Sequence, residues 1–112
     1  MYQFMSNCQA CLWEAIGVEG VECKVIFDDP ETGRRTVLTK MAPGAVIPKH
    51  YHTHVDETVF VLNGDFVEEE TVYGEGSYFF GKAKTSHGPH KTVGGCTVLT
   101  QWNGGIVDFV EA

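Results

Sequence analysis

Residues 44–64 read GAVIPKHYHTHVDETVFVLNG, and this stretch decides which fold the chain adopts. Within it, His50 and His52 stand two positions apart. On an extended strand, side chains two positions apart point to the same face. Two imidazoles on one face can bind a single ion from adjacent positions, so the spacing predicts a metal site on a strand.

Two further candidate ligands lie outside this pair. Glu57 follows on what the pattern predicts to be the next strand segment, and His87 comes much later, before Gly88-Pro89. Ligands from separate strands of a closed barrel would converge on its interior. Nitrogen and oxygen ligands of this kind suit one divalent transition metal, with iron, manganese, nickel, copper and zinc all compatible.

The rest of the chain predicts an all-β fold in a single domain, because short β-rich stretches alternate with turn residues at intervals near ten. The predicted strands cover residues 21–27, 35–41, 57–62, 66–70, 77–80, 96–102 and 106–110. Asn63-Gly64 predicts a two-residue hairpin turn. Only residues 7–16 have any helical character, and they are too short and unpatterned to predict a helix. Such a pattern is typical of a sandwich or a barrel.

Composition narrows the function classes. The net charge is −7, so the chain should repel phosphate backbones and anionic membrane surfaces, which leaves a small-molecule ligand as the simplest partner. No apolar run approaches the roughly 20 residues of a membrane span, and residues 1–6 lack the features of a secretion signal. We therefore expect a cytoplasmic protein. The four cysteines, Cys8, Cys11, Cys23 and Cys96, are expected to be reduced thiols.

The spacings around the histidines resemble the two sequence motifs of the cupin superfamily. Gly44, the pair His50 and His52, Glu57 and Gly64 match every fixed position of the first motif, residues 44–64. In the second motif, residues 76–90, Gly76 and His87 are at the correct separation. The usual proline and glycine of that motif are replaced by Lys82 and Lys84.

This resemblance implies a jelly-roll barrel, the double-stranded β-helix of cupins, formed by one domain over residues 1–112 with an N-terminal arm at 1–20. It implies a metal bound by His50, His52, Glu57 and His87. Alternatives remain at three positions. Glu57 could stand behind the ligands and orient a histidine, His90 could replace His87 as the last ligand, and a shifted register would use His52 with His54.

Residues 13–102 resemble one branch of small cupins, which includes acetylacetone dioxygenase, dihydroxyacetophenone dioxygenase and the cupin domain of zinc-binding anti-sigma factors. The stretches that carry this resemblance are Trp13-Glu14 and residues 20–38, 41–44, 86–90 and 94–99. The branch implies an iron(II)-dependent dioxygenase that cleaves a C–C bond in a small dicarbonyl or aryl ketone, with zinc, manganese or nickel as alternative metals. No individual catalytic residue beyond the metal centre is predicted.

Other functions are compatible with the same resemblance. A non-catalytic metal or small-ligand sensor is one, although in the anti-sigma factors the partner-binding region is a separate N-terminal domain. A metal-assisted isomerase or lyase and a structural zinc centre are the others. Small barrels of this type often associate through edge strands or sheet faces, so we expect a homodimer.

Overall fold

The computed structural model describes residues 1–112, and almost all of its regular structure is β-strand. The exception is one short 3-10 turn at Cys8–Ala10. The strands, numbered along the chain, are β1 Glu14–Ala15, β2 Val21–Asp28, β3 Arg35–Met41, β4 Val46–Ile47, β5 His50–Tyr51, β6 Glu57–Gly64, β7 Phe66–Glu68, β8 Thr71–Tyr73, β9 Tyr78–Gly81, β10 His90–Lys91, β11 Cys96–Trp102 and β12 Val110–Glu111.

The strands form antiparallel sheets that enclose one core. The largest sheet has the order β1-β2-β3-β11-β6-β9, and a four-stranded sheet has the order β4-β10-β7-β8. β12 and β5 form a separate short pair, in which Glu111 lies opposite His50. Most neighbours in these sheets are distant in sequence, which is typical of a jelly roll and confirms the predicted all-β class.

The interior of the barrel follows from strand periodicity. Buried and less buried positions alternate along β3, β6 and β11, so one face of each strand lines the core. On β6 this face consists of Glu57, Val59 and Val61. The same alternation that buries two valines therefore carries the Glu57 carboxylate into the interior.

The predicted strands at 35–41 and 96–102 are confirmed at both ends, and four others are confirmed within a few residues. The strand predicted at 106–110 is wrong, because only Val110–Glu111 pairs, with β5. Gly104 and Gly105 take φ values of 144° and 90°, which interrupt the strand after Trp102.

The hairpin predicted at Asn63-Gly64 is also wrong. β6 continues through Gly64, which pairs with Cys96 of β11, and the chain then crosses to the other sheet to form β7. Gly64 has φ +83°, and a side chain there would collide with the Gly95–Cys96 backbone. The glycine therefore permits close strand packing at a crossover rather than a hairpin turn. No helix of the structure is long and apolar enough to cross a bilayer.

Candidate metal centre

The four predicted ligands lie together inside the barrel. His50 opens β5, His52 follows it, and Glu57 opens β6; these residues are 3%, 4% and 8% exposed. His87 lies in the connection from β9 to β10. It is fixed next to His50 by two backbone hydrogen bonds, His50 N to His87 O at 3.0 Å and His87 N to His50 O at 2.8 Å. His50 and His87 are 37 positions apart in the sequence, and their contact brings the two motifs together.

Neighbouring ligand atoms lie at distances that fit a shared ion: those of His52, Glu57 and His87 lie within 4.8 Å of one another, and His50 joins them through His87. His50 Nε2 lies 3.0 Å from His87 Nε2, which lies 3.2 Å from Glu57 Oε2. His52 Nε2 lies 3.1 Å from Glu57 Oε1. Atoms bound to one ion at about 2.1 Å stand roughly 3.0 to 3.4 Å apart when they are adjacent.

The hydrogen bonds of the rings leave these atoms free to bind a cation. His50 Nδ1 donates to the carbonyl of Pro48 at 2.7 Å, and His52 Nδ1 donates to the carbonyl of Asp108. When Nδ1 carries the proton of a neutral imidazole, Nε2 presents a lone pair. His52 Nε2 faces the Glu57 carboxylate, which can only accept, and His50 Nε2 faces the ring nitrogen Nε2 of His87. Atoms that all present lone pairs to one another require a proton or a metal ion between them. The residues present therefore fit a metal.

The electrostatics of the site favour ligation. Burial lowers the pKa of His50, and it lowers the pKa of His87 to about 4, so both rings are neutral near pH 7. Burial alone would raise the pKa of Glu57, but the hydrogen bond with His52 and the neighbouring histidines lower it. Glu57 is therefore an ionised carboxylate near the two neutral imidazoles of His50 and His87, a combination that suits a divalent ion.

His52 responds in the opposite direction. Burial works to lower its pKa, but its hydrogen bonds to Glu57 and to the Asp108 carbonyl outweigh burial and raise it. A proton on His52 Nε2 would lie where an ion would contact this ring and Glu57. Protons and metal ions are thus alternative occupants of the same position.

The C-terminal segment closes over the cluster, which sequence reasoning missed. The Asp108 carboxylate accepts hydrogen bonds from Thr53 N and Thr53 Oγ1, which fixes the segment against the ligand strand. Phe109 stacks on the His50 ring with centroids 4.0 Å apart. Trp102 Nε1 donates to Glu57 Oε1 at 3.0 Å and orients the carboxylate. The sequence predicts only a strand over residues 106–110. No sequence pattern indicates that the backbone of this segment contacts the histidine cluster.

The connection that carries His87 keeps its shape despite the altered second motif. Lys84 has φ +68°, a conformation that glycine adopts without strain, and the motif has a glycine at this position. The backbone N–H of Lys84 donates to the carbonyl of His52 at 2.7 Å, which joins the two motifs. A Cβ on Gly81 would lie 3.1 Å from His87 Nδ1, so this glycine makes room for the ring.

The other two histidines differ sharply. His54 is exposed and lies outside the cluster, so the shifted register that would use it with His52 is not what the structure contains. His90 is 7% exposed, and its ligand atom lies within 4.8 Å of those of His50 and His87. Its Nδ1 lies 2.9 Å from both carboxylate oxygens of Glu68. Glu68 is therefore not a freely solvated carboxylate but the partner of a buried histidine.

A largely apolar cavity of about 90 Å³ adjoins the cluster. Phe66, Trp102 and Phe109 line it, whereas three other aromatic residues, Phe60, Tyr78 and Phe80, are 39%, 62% and 57% exposed. Thr39 and Thr100, whose hydroxyl oxygens lie 3.3 Å apart, add polar groups to an otherwise apolar wall. A second cavity of about 470 Å³ shares His52, Trp102 and Phe109 with the first.

Comparison with known sequences gives a family. The sequence model of the ChrR cupin-like domain matches residues 2–104, which is most of the chain. No curated protein matches the sequence at a significant level.

Solved structures share the fold. A putative acetylacetone dioxygenase from Methylibium petroleiphilum superposes with a TM-score of 0.81 at 14% identity, covering 99% of this chain and 83% of that one. The polyketide cyclase RemF from Streptomyces resistomycificus gives 0.80 at 15% identity, covering 99% and 86%. The complex of Rhodobacter sphaeroides SigE with the anti-sigma ChrR gives 0.69 at 23% identity, covering 86% and 50%. At these identities the likeness establishes the cupin fold and not a reaction.

Proposed function

This chain belongs to the family of ChrR cupin-like domains, and from its site geometry we propose that it binds one divalent transition metal through His50, His52, Glu57 and His87. The observation that carries this proposal is the set of nitrogen and oxygen atoms that could bind the ion. The Nδ1 atoms of His50 and His52 donate to backbone carbonyls, so their Nε2 lone pairs converge with the Glu57 carboxylate, which accepts one neutral hydrogen bond, from Trp102. A cation resolves this arrangement most simply.

We further propose that the metal is iron(II) and that the protein is a dioxygenase cleaving a C–C bond in a small dicarbonyl or aryl ketone. Bound iron would supply Lewis acidity and one-electron chemistry with O₂. Support comes from the acetylacetone dioxygenases among the structures that share the fold. Zinc, manganese and nickel are the alternative metals, because the nitrogen and oxygen donors accept each of them.

The residues around the centre would control the reaction through position and water exclusion. Phe66, Trp102 and Phe109 line the cavity and would desolvate a small ketone next to the ligands. The hydroxyl groups of Thr39 and Thr100 are the polar groups in that wall that could accept or donate a hydrogen bond to a substrate oxygen. An apolar wall with a few polar groups matches a dicarbonyl or aryl ketone better than a sugar.

A sensor without catalysis is the second candidate. It is favoured by the family itself and by the likeness to ChrR, which was solved in complex with a sigma factor, although this chain spans about half of that chain's length. The deep burial of His50 and His52 suits a metal that is held tightly and exchanges slowly.

Oxygen uptake separates the two candidates. Protein purified without a nickel column is stripped, reloaded with Fe(II), and tested in an oxygen electrode with a β-diketone and aryl ketone panel. The dioxygenase proposal expects substrate-dependent O₂ consumption that His87→Ala abolishes and His54→Ala, at an exposed site, retains. Tight zinc with no O₂ consumption across the panel would contradict it and favour the sensor.

We also propose a homodimer that uses the β9 edge. β9 is the last strand of the six-stranded sheet, and Tyr78, Phe80 and the neighbouring Phe60 expose apolar surface beside its unpaired edge. Exposed apolar edges of this kind favour pairing between chains. Sedimentation should give a dimer at micromolar concentration and a monomer for Tyr78→Lys combined with Phe80→Lys. A monomeric wild-type protein would contradict this proposal.

A further inference from the structure

His90 is part of the histidine cluster although it lies outside the four proposed ligands. The cluster contains two triads that share His87: His52, Glu57 and His87 form one, and His50, His87 and His90 form the other. In each triad the ligand atoms lie within 4.8 Å of one another. The His90 ring lies 5.5 Å from the His50 ring and 5.2 Å from the His87 ring, centroid to centroid.

The structure holds the His90 ring in one orientation. Its Nδ1 lies 2.9 Å from each oxygen of Glu68, whose side chain is 18% exposed. Phe66 stacks on the ring with an interplanar angle of 26°. β10 pairs with β4 and β7, which brings His90 next to Ile47 and faces it toward the interior. The ring is therefore positioned from three sides.

This arrangement leaves one nitrogen of His90 available. The hydrogen bonds of the ring to protein are made by Nδ1 with Glu68, so Nδ1 carries the proton and Nε2 presents a lone pair. Histidines that bind metals characteristically donate their other N–H to a carboxylate, which fixes the ring and increases its basicity. The Glu68 carboxylate therefore gives His90 the same kind of support that metal-binding histidines receive.

We propose that His90, oriented by Glu68, is an additional ligand of the metal ion, which would then be bound by four imidazoles and one carboxylate. The inference rests on the proposed metal centre.

Cobalt(II) absorption tests the additional ligand without relying on activity. Stripped wild-type protein, His90→Phe, Glu68→Gln and the exposed control His54→Gln are titrated with Co(II), and the affinity is measured by competition with a chelator. Phenylalanine retains the stacking on Phe66, and circular dichroism checks that each variant is folded. We expect one ion per chain in all four proteins.

The spectra and affinities decide the outcome. Loss of one imidazole should intensify and shift the d–d bands of His90→Phe and weaken its affinity about 10- to 100-fold, with a smaller change in Glu68→Gln. His54→Gln should match the wild type. Folded His90→Phe with the wild-type spectrum and affinity would overturn the inference while leaving the proposed centre intact. Two ions in the wild type and one in His90→Phe would overturn it in favour of a second site. Failure of the wild type to bind cobalt would overturn both.

Discussion

Mild acid should destabilise the metal-free protein because the folded state holds the partly buried His87 in its neutral form. Burial lowers the pKa of His87 from an ordinary value of 6.5 to about 4. Below pH 6.5 the unfolded chain binds a proton at this ring, whereas the folded protein does so only near pH 4. The unfolded state then binds more protons than the folded state. The free energy of unfolding therefore decreases as the pH is lowered through this window.

The magnitude follows from the two pKa values. The side chain is 18% exposed, so solvent screening is modest. Between about pH 7.5 and about pH 5, proton binding to the unfolded state should remove roughly 2 kcal/mol of the free energy of unfolding, with a limit of about 3 kcal/mol at lower pH. This window lies above the range in which most carboxylates titrate.

Urea denaturation of chelator-treated protein at these two pH values measures the effect, with His87→Asn as the matched variant. His52, whose pKa is raised, works in the opposite direction because its protonation favours the folded state. Its contribution should be common to both proteins, since His87 is uncharged in the folded state throughout the window. The wild type should lose roughly 2 kcal/mol more than His87→Asn. Equal losses in the two proteins would refute the claim that a partly buried, neutral His87 controls this pH dependence.

Two further predictions concern the residues that support the ligands. Gly81→Ala should displace the His87 ring, because the added Cβ would lie 3.1 Å from His87 Nδ1. The displacement should lower the metal affinity about tenfold. The control Gly74→Ala should leave the affinity unchanged, because nothing lies within 4 Å of its added atom. Chelator competition measures both, and equal affinities would contradict the role of Gly81. Trp102→Phe should remove the hydrogen bond to Glu57 and weaken metal binding about tenfold in the same assay, with unchanged far-UV circular dichroism. A wild-type affinity in this variant would show that Glu57 needs no such support.

The histidine cluster could be predicted because its signal is local. His50 and His52 occupy alternate positions of an extended segment, and Glu57 occupies the inward face of β6 with Val59. Strand periodicity therefore orients these side chains before any long-range contact is known. For His87 the prediction depended on the spacing of the second motif, and the backbone hydrogen bonds with His50 now explain its position.

Contacts between distant segments had no comparable signal. The pairing of β7 with β10 brings Glu68 to His90 across 22 residues, and no sequence pattern specifies that pairing. The Asp108 carbonyl that orients His52 lies in an irregular segment 56 residues away. At Gly64 the misleading signal was local: Asn63-Gly64 is typical of a hairpin, but here the glycine serves a crossover between sheets.

Metal content tests the central claim most directly. Wild-type protein and the double variant His50→Ala with His52→Ala, both purified without a nickel column and exchanged into metal-free buffer, are compared by elemental analysis. Circular dichroism confirms that the barrel survives in each. We predict close to one transition metal ion per wild-type chain and none in the folded double variant. A wild-type protein without metal, or a double variant that retains a full equivalent, would contradict the account.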